Sequence, residues 1–375
     1  MIVSLDPFIQ QNSPALLAFL EALSACGGTA SLYTPAAPIG GLEVHVHGIS
    51  APEVLQTLAE THFKRALLGI TPYTSSLRFI GQHDGLPRPS FTYNGVTFSD
   101  EHCHLFAGLC AVDTPESVAA VMRTLQAHGQ QCTRMGAYKP RTDPHSFQGH
   151  GADCLPYVFD LAGKFGIKVI AMEITHERQI EEIDRALDRQ GRPTGVLLQI
   201  GTRNAQNFEL LKAVGAQSHF PVLFKRGFGI TLAESLSAAE YLAHSGCARI
   251  IFCLRGVKSL NAAPHRNLVD FAQIPVIKRL TRLLVCADPS HSVGTLAHGP
   301  DGIPDLFHAT AQAVIAGAHA LLVDVHDTPK TALVDPHQAI SLDDLPWFLE
   351  DIACAREAYL KRQLLANRCA QKSHE

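Results

Sequence analysis

The run Gln131-Cys-Thr-Arg-Met-Gly-Ala-Tyr-Lys-Pro-Arg-Thr142 reads as a strand that ends in a cluster of charge. Residues 131–138 carry the apolar pattern of a strand, and Pro140 stops the ladder because it lacks an N–H. Arg134, Lys139 and Arg141 fall within eight residues, interrupted by Gly136 and Pro140. Cations this close repel one another, so folding alone gives little reason to collect them. An anionic ligand does, because Arg forks grip phosphate in bidentate fashion and Lys adds a mobile point charge. A solvated basic turn is the plainer alternative. The choice between them rests on recurrence, since similar units follow at regular intervals downstream.

From His104 onward the pattern is strand, then helix, repeated. Strands are expected at 104–110, 131–138, 168–174, 195–201, 221–226, 248–255, 283–288 and 319–325, with helical stretches such as Pro115–Ala127, Arg178–Arg189, Leu232–His244 and Leu306–Ala316 between them. Such alternation over about 270 residues is what a (β/α)8 TIM barrel requires. An open doubly wound sheet competes, but no Gly-x-Gly-x-x-Gly turn follows the first strand. The first seventy residues read separately, as β-α-β-β-α-β: strands at Ile2–Leu5, Thr29–Tyr33, Leu42–His47 and Arg65–Ile70, helices at 13–25 and 51–62, and a Pro/Gly-rich turn after Tyr33. That order is the one of a ferredoxin-like α+β domain. The expected division is therefore 1–70 as this domain, 71–98 as a Pro/Gly/Ser/Thr-rich linker, and 99–375 as the barrel.

Composition narrows the class. Hydrophobic content of 46% with 18% charged residues in 375 suits an enzyme-sized chain with a large core. A net charge of −4 argues against a broad nucleic-acid or membrane surface, so basic clusters read as local anion sites. Ten cysteines are too dilute for a disulfide scaffold. With no signal peptide and no long apolar run, the expectation is a cytoplasmic protein with reduced thiols. Most of the 20 histidines are isolated and read as surface or packing residues.

In a (β/α)8 barrel the site forms at the C-terminal ends of the strands. In order those ends offer Cys110, Lys139, Glu173, Arg203, Lys225, Arg255, His291 and Asp324. One subset is cationic: Arg134, Lys139, Arg203, Lys225, Arg226 and Arg255, of which Arg226 is the expected surface ion-pair partner. So many cations facing one mouth imply a multiply charged, phosphorylated substrate. The other subset is Cys110, His291, Asp324 and Asp335. A thiolate, an imidazole and carboxylates suit a borderline divalent ion such as Mn, Fe, Co or Zn, although their spacing does not show it. A lone buried Cys is more often a small hydrophobe, which is the reading for Cys103, Cys132, Cys253 and Cys286.

These motifs occur in a familiar order. Arg134-x-Gly-Ala-Tyr-Lys-Pro-Arg-Thr142 with Ser146-Phe-Gln-Gly149, Gln199-Ile-Gly-Thr-Arg-Asn204, Phe224-Lys-Arg-Gly227, Asp288-Pro-Ser-His-Ser292 and Val323-Asp-Val-His326 resemble type I-beta 3-deoxy-7-phosphoheptulonate (DAHP) synthases. The leading unit resembles the regulatory domain found ahead of the barrel in some of them. The resemblance implies condensation of phosphoenolpyruvate with erythrose 4-phosphate, the entry step of the shikimate pathway and of aromatic amino-acid biosynthesis. It implies that Arg134, Arg203, Lys225 and Arg255 hold phosphoenolpyruvate, and that Lys139 lies near the reacting centre as a proton donor. Pro140, Arg141 and Thr142 would hold the aldose phosphate. Cys110, His291, Asp324 and Asp335 would bind the metal, His291 also counting as catalytic. An aromatic amino-acid effector and a homo-oligomer are implied by the same analogy.

Departures accompany the likeness. Gly108-Leu-Cys-Ala-Val-Asp113 replaces Gly-Pro-Cys-Ser-Val-Glu, and Leu254 stands before Arg255-Gly256 where the family has Glu. Asp324 replaces a longer glutamate ligand, and Val293-Gly-Thr295 with the stretch 299–304 replaces a shorter, more basic loop. Leu254 favours a non-catalytic phosphoenolpyruvate-binding regulatory homologue, while the four retained donors favour an active enzyme. A related 3-deoxy-octulosonate 8-phosphate synthase activity is disfavoured by the Lys-Pro-Arg-Thr segment.

Overall fold

The computed structural model describes residues 1–36 and 41–372; residues 37–40, in the Pro/Gly-rich turn after Tyr33, lie outside the described residues. The chain opens with β1 (Ile2–Leu5), α1 (Pro14–Ala25), β2 (Thr29–Tyr33), β3 (Glu43–His47), α2 (Pro52–Phe63) and β4 (Leu67–Thr71). Ser13 starts α1 by accepting the amide of Leu16, with Pro14 at the first helical position. The strands form an antiparallel sheet in the order β2-β3-β1-β4, the ferredoxin-like arrangement expected from the element order. Alternation in β3 decides what each face does. Val44 and Val46 pack with Phe19, Leu55 and Phe63 of the helices, while Glu43 and His45 turn the other way, toward the barrel.

The stretch expected as a linker contains a hairpin, β5 (Phe91–Tyr93) and β6 (Val96–Phe98). Asn94 and Gly95 both have positive φ, +46° and +80°, which is the turn that matches strand twist. Then come the barrel elements: β7 (His104–Leu109), α3 (Pro115–Ala127), β8 (Cys132–Met135), α4 (Leu155–Lys164), β9 (Val169–Ile174), α5 (Arg178–Arg189), β10 (Gly195–Ile200), α6 (Phe208–Ala216), β11 (Val222–Lys225), α7 (Leu232–His244), β12 (Ile250–Leu254), α8 (Ile274–Leu280), β13 (Leu284–Ala287), α9 (Pro289–Val293), α10 (Asp305–Ile315) and β14 (Ala320–His326). All eight expected barrel strands form, each parallel to its neighbours. β14 pairs with both β7 and β13, which closes the barrel. A two-residue β15 (Ile340–Ser341) adds to β14, and α11 (Leu345–Lys372) follows. Among the described residues no helix is long and apolar enough to cross a membrane.

Two packed layers surround the strands. The inner one is made of alternate residues such as Phe106, Cys132, Val169, Leu197, Leu223, Ile251, Cys253 and Cys286. Phe91, Val96 and Phe98 of the hairpin join it, so the hairpin plugs the N-terminal mouth of the barrel. It is pinned there by Asn94, whose side-chain amide donates to the Lys168 carbonyl at 2.7 Å, and by Tyr93, whose hydroxyl accepts the Val196 amide at 3.1 Å. With that end closed, only the C-terminal end remains as a mouth.

Candidate active site

Strand parity aims the chemistry inward. Phe106, Val169, Leu197, Leu223, Cys253 and Cys286 face the barrel interior. Residues an even number further on therefore point the same way, at the upper rim: Cys110, Glu173, Gln199, Lys225, Arg255 and Asp288. Arg134 and Asp324 share that parity with Cys132 and Leu322.

One ligand atom each from Cys110, His291, Asp324 and Asp335 lies within 4.8 Å of all the others. His291 is held by Asp288, which caps α9 by accepting the His291 amide at 3.0 Å and takes its ring Nδ1 at 3.1 Å. Nε2 is thereby left to face Cys110 Sγ at 3.8 Å and Asp335 at 3.5 Å. Burial opposes charge on this imidazole, but the Asp288 and Asp324 carboxylates outweigh it and lift its pKa to about 10. Loading of a metal on Nε2 would therefore release a proton. Asp324 accepts from Arg134 and, at 2.6 Å, from the Gln338 side-chain amide. Asp335 adopts the left-handed region at φ +53°, uncommon for a side chain larger than glycine and a form of strain concentrated at functional sites. A thiol, an imidazole and two carboxylates at these separations fit a four-coordinate divalent ion of the Mn, Fe, Co or Zn type. The shortening expected at Asp324 does not keep it out of the set.

Above this cluster opens a cleft of about 210 Å³, walled by Lys139, Pro140, Arg141, Thr142, Arg203, Lys225 and Arg255 among others. The sequence motifs have local reasons. After β8 the chain passes so close to the Cys110 carbonyl that a Cβ on Gly136 would lie 2.1 Å from its oxygen. The turn beyond is braced by Ser146-Phe-Gln-Gly149, with the Lys139 amide donating to the Gln148 carbonyl at 2.9 Å. Lys139 Nζ stands between Cys110 Sγ at 3.4 Å and Glu173 at 3.5 Å. Burial opposes its charge, but Cys110 and Glu173 prevail, so its pKa is raised and it stays protonated. Lys225 Nζ donates to Asp288 at 2.6 Å, while Arg203 reaches the Thr142 hydroxyl at 3.2 Å. Arg255 lies over the Phe228 ring, 4.9 Å from its centroid. Among the described residues its Nη1 and the Thr202 hydroxyl are buried without a partner. Unpartnered buried donors are costly, and both residues line the cleft.

Arg134 is set apart from the other expected substrate contacts. It lies beneath the cleft, fully buried and bonded to Asp324 and Cys110. Arg226 is an ion-pair partner as expected, but a buried one rather than a surface one, bound to Asp270 at 2.8 Å and to Gln273 at 2.6 Å. Leu254, the departure that favoured a non-catalytic homologue, lies away from the cleft. Between inward Cys253 and Arg255, its side chain turns outward into the layer that packs strands against helices, fully buried. A residue on that face does not line the cleft. Asp288, Arg266, Gln338 and Phe228 belong to the site without having been anticipated. For Asp288 a signal existed, since it has the same strand parity as Arg255 and Lys225. Arg266 and Gln338 come from loops, where periodicity is silent.

Fold and site together define a closed (β/α)8 barrel with a cationic cleft ending on a mixed thiol, imidazole and carboxylate cluster of metal-binding type. The sequence pattern of the DAHP synthetase I family matches residues 90–359, and the chain belongs to that family. It is 38% identical over 249 residues to the phospho-2-dehydro-3-deoxyheptonate aldolase of Thermotoga maritima, covering 66% of this chain and 68% of that one. A 2-dehydro-3-deoxyphosphooctonate aldolase of Legionella pneumophila is more distant, at 25% over 297 residues, with 76% and 98% covered. The crystal structure of the Thermotoga maritima DAHP synthase superposes over 95% of this chain and 97% of its own with a TM-score of 0.68 at 26% identity. A truncated form of the Thermotoga maritima synthase covers 76% of this chain and 98% of its own, with a TM-score of 0.65 at 29% identity.

Proposed function

We propose that this chain condenses phosphoenolpyruvate with erythrose 4-phosphate, or a close aldose phosphate, to give a 3-deoxy-ketulosonate phosphate (with erythrose 4-phosphate, 3-deoxy-D-arabino-heptulosonate 7-phosphate) and inorganic phosphate. The observation that carries the reading is the junction of the four-donor cluster with a cleft lined by Lys139, Arg141, Arg203, Lys225, Arg255 and Arg266. Lys225, Arg255 and Arg203 would hold the phosphate and carboxylate of phosphoenolpyruvate. Arg134 would act from below, orienting Asp324 rather than touching substrate. Pro140, Arg141 and Thr142, at the outer rim, would hold the aldose phosphate. Cys110, His291, Asp324 and Asp335 would hold a divalent ion, whose chemistry when bound is to polarise the aldehyde carbonyl as a Lewis acid.

The methylene carbon (C3) of phosphoenolpyruvate attacks the aldehyde carbon, and Lys139, kept protonated by its surroundings, gives its proton to the forming alkoxide. Water adds at C2, the carbon that carries the phosphate ester, and phosphate leaves with cleavage of its C2–O bond, taking up the proton released as the ketone forms. The four retained donors, together with the outward position of Leu254, support the active reading over a non-catalytic homologue. The same reading extends to residues 1–70 as a regulatory domain answering to an aromatic amino acid, with 99–375 catalytic, in a cytoplasmic homo-oligomer. Product identification with erythrose 4-phosphate and arabinose 5-phosphate in parallel tests the substrate. A seven-carbon product formed faster supports the proposal, and exclusive use of the pentose refutes the choice of aldose. Adding each aromatic amino acid to the same assay tests the regulatory unit, and unchanged rates with all three would discard it.

A further inference from the structure

Arg266 stands between the two halves of the site. Its Nη1 donates to the Gln338 side-chain oxygen at 2.9 Å and lies 3.2 Å from Asp335 Oδ1. Gln338 in turn donates to Asp324 at 2.6 Å, so one guanidinium touches one donor carboxylate directly and reaches a second through a single amide. The same side chain lines the cleft alongside Arg255 and Lys225. Its backbone is stitched to the segment that presents His291: the Arg266 amide donates to the Val293 carbonyl at 2.8 Å and the Asn267 amide to the Ser292 carbonyl at 2.9 Å. Gly294 keeps the space for it, since a Cβ there would lie 2.5 Å from Arg266 Cβ, at a φ of +77° that already favours glycine. Arg266 is thus placed by both neighbouring loops and shared by both functions.

We infer that Arg266 is a coupling residue, through which divalent-metal binding at the Cys110, His291, Asp324 and Asp335 cluster and anion binding in the cleft strengthen each other. The inference rests on the metal-dependent reading proposed above. Arg266 and a cation on the donor set draw on the same Asp335 carboxylate. A metal that takes up that negative charge weakens its hold on Arg266 and leaves the guanidinium's field for an anion in the cleft. An anion that engages Arg266 frees Asp335 for the metal in the same measure, because linkage between binding sites is reciprocal. Gln338 extends the effect to Asp324, since its oxygen accepts from Arg266 while its amide donates to the carboxylate. Direct attraction between metal and anion adds a part that does not depend on Arg266.

The test measures the Mn2+ dissociation constant of the full chain by electron paramagnetic resonance of free Mn2+, with and without saturating phosphoenolpyruvate. In the wild type phosphoenolpyruvate tightens Mn2+ binding on the order of tenfold, the common size of such couplings. Arg266→Ala binds Mn2+ more tightly than wild type in the absence of phosphoenolpyruvate, because a competitor for Asp335 is gone, and its coupling factor falls several-fold. A residue that merely braces its loop would instead weaken Mn2+ when removed. Arg266→Lys, which keeps the charge without the fork, gives intermediate coupling, and Arg266→Gln serves if the alanine variant fails to fold. Unchanged coupling, or weakened Mn2+ binding in every folded variant, overturns the inference alone. Failure of the wild type to bind either Mn2+ or phosphoenolpyruvate overturns it together with the proposed function.

Discussion

Asp288 joins the two chemistries at the level of single atoms. Its carboxylate accepts from Lys225, from the His291 amide and from the His291 ring, and it is fully buried. Burial opposes its charge, but His291 and Lys225 hold its pKa well below the usual carboxylate range. Asp288→Asn keeps the shape and removes the charge that fixes the imidazole tautomer. Mn2+ affinity is expected to fall by about 10- to 100-fold, as for other groups that orient metal ligands. Calorimetric titration checks it, and affinity within twofold of wild type would mean that His291 is positioned by packing alone. The four donors themselves were legible only through the order of the motifs, because Cys110 and Asp335 are 225 residues apart. Arg266 was not legible at all. It lies in an irregular loop, and nothing in Pro264-His-Arg266 distinguishes a shared guanidinium from an exposed one.

At the scale of elements, the barrel strands were readable because each is an apolar run bounded by turn residues and followed by amphipathic spacing. Helices α3, α5 and α7 have the bounds expected for them, set by Pro115 after the Thr114 cap, by the apolar spacing around Ile183 and Leu187, and by the Thr231 and Glu234 capping box. The β5–β6 hairpin went unread even though Asn94-Gly95 between Phe-Thr-Tyr and Val-Thr-Phe is a strong hairpin signal, because the surrounding proline and glycine set the tone of that stretch. Its strain point is Gly95, where a side chain would meet nothing within 4 Å but would be forced to φ +80°. Gly95→Val is expected to lower stability by about 1–2 kcal/mol, the cost of the left-handed conformation. Denaturant titration measures it. Turnover at 25 °C should change little, since the hairpin closes the end of the barrel opposite the cleft; an equal loss of activity and stability would contradict that separation.

For the whole molecule, the ferredoxin-like unit meets the barrel through a buried ion pair. Arg282 grips both oxygens of Glu43, at 2.6 and 2.7 Å, and its Nε donates to the Phe79 carbonyl. Glu240 of α7 adds a clasp, accepting the amides of Arg78, Phe79 and Ile80. Burial works against the Glu43 charge, but the Arg282 fork and His45 more than offset it and hold its pKa below the usual value. A carboxylate with a depressed folded pKa contributes stability above its unfolded pKa, about 4.3, that is lost as pH falls through the folded value. Acid is therefore expected to loosen this contact. Protection of the amides of residues 1–71 against hydrogen exchange, corrected for the intrinsic rate at each pH, should fall between pH 5 and pH 3 in wild type. Glu43→Gln should show it already at pH 7, with a loss of about 3–5 kcal/mol from the stranded Arg282. Equal protection at both pH values would assign the docking to apolar contact.

The central claim is that one metal on the four-donor cluster serves a condensation in the adjoining cleft, and its most direct measurement is phosphate release from phosphoenolpyruvate and erythrose 4-phosphate during Mn2+ titration of chelator-stripped protein. The account predicts turnover that rises to a plateau at one Mn2+ per chain and is lost in Cys110→Ala, whereas undiminished turnover in chelator, or none at any Mn2+ concentration, would contradict it.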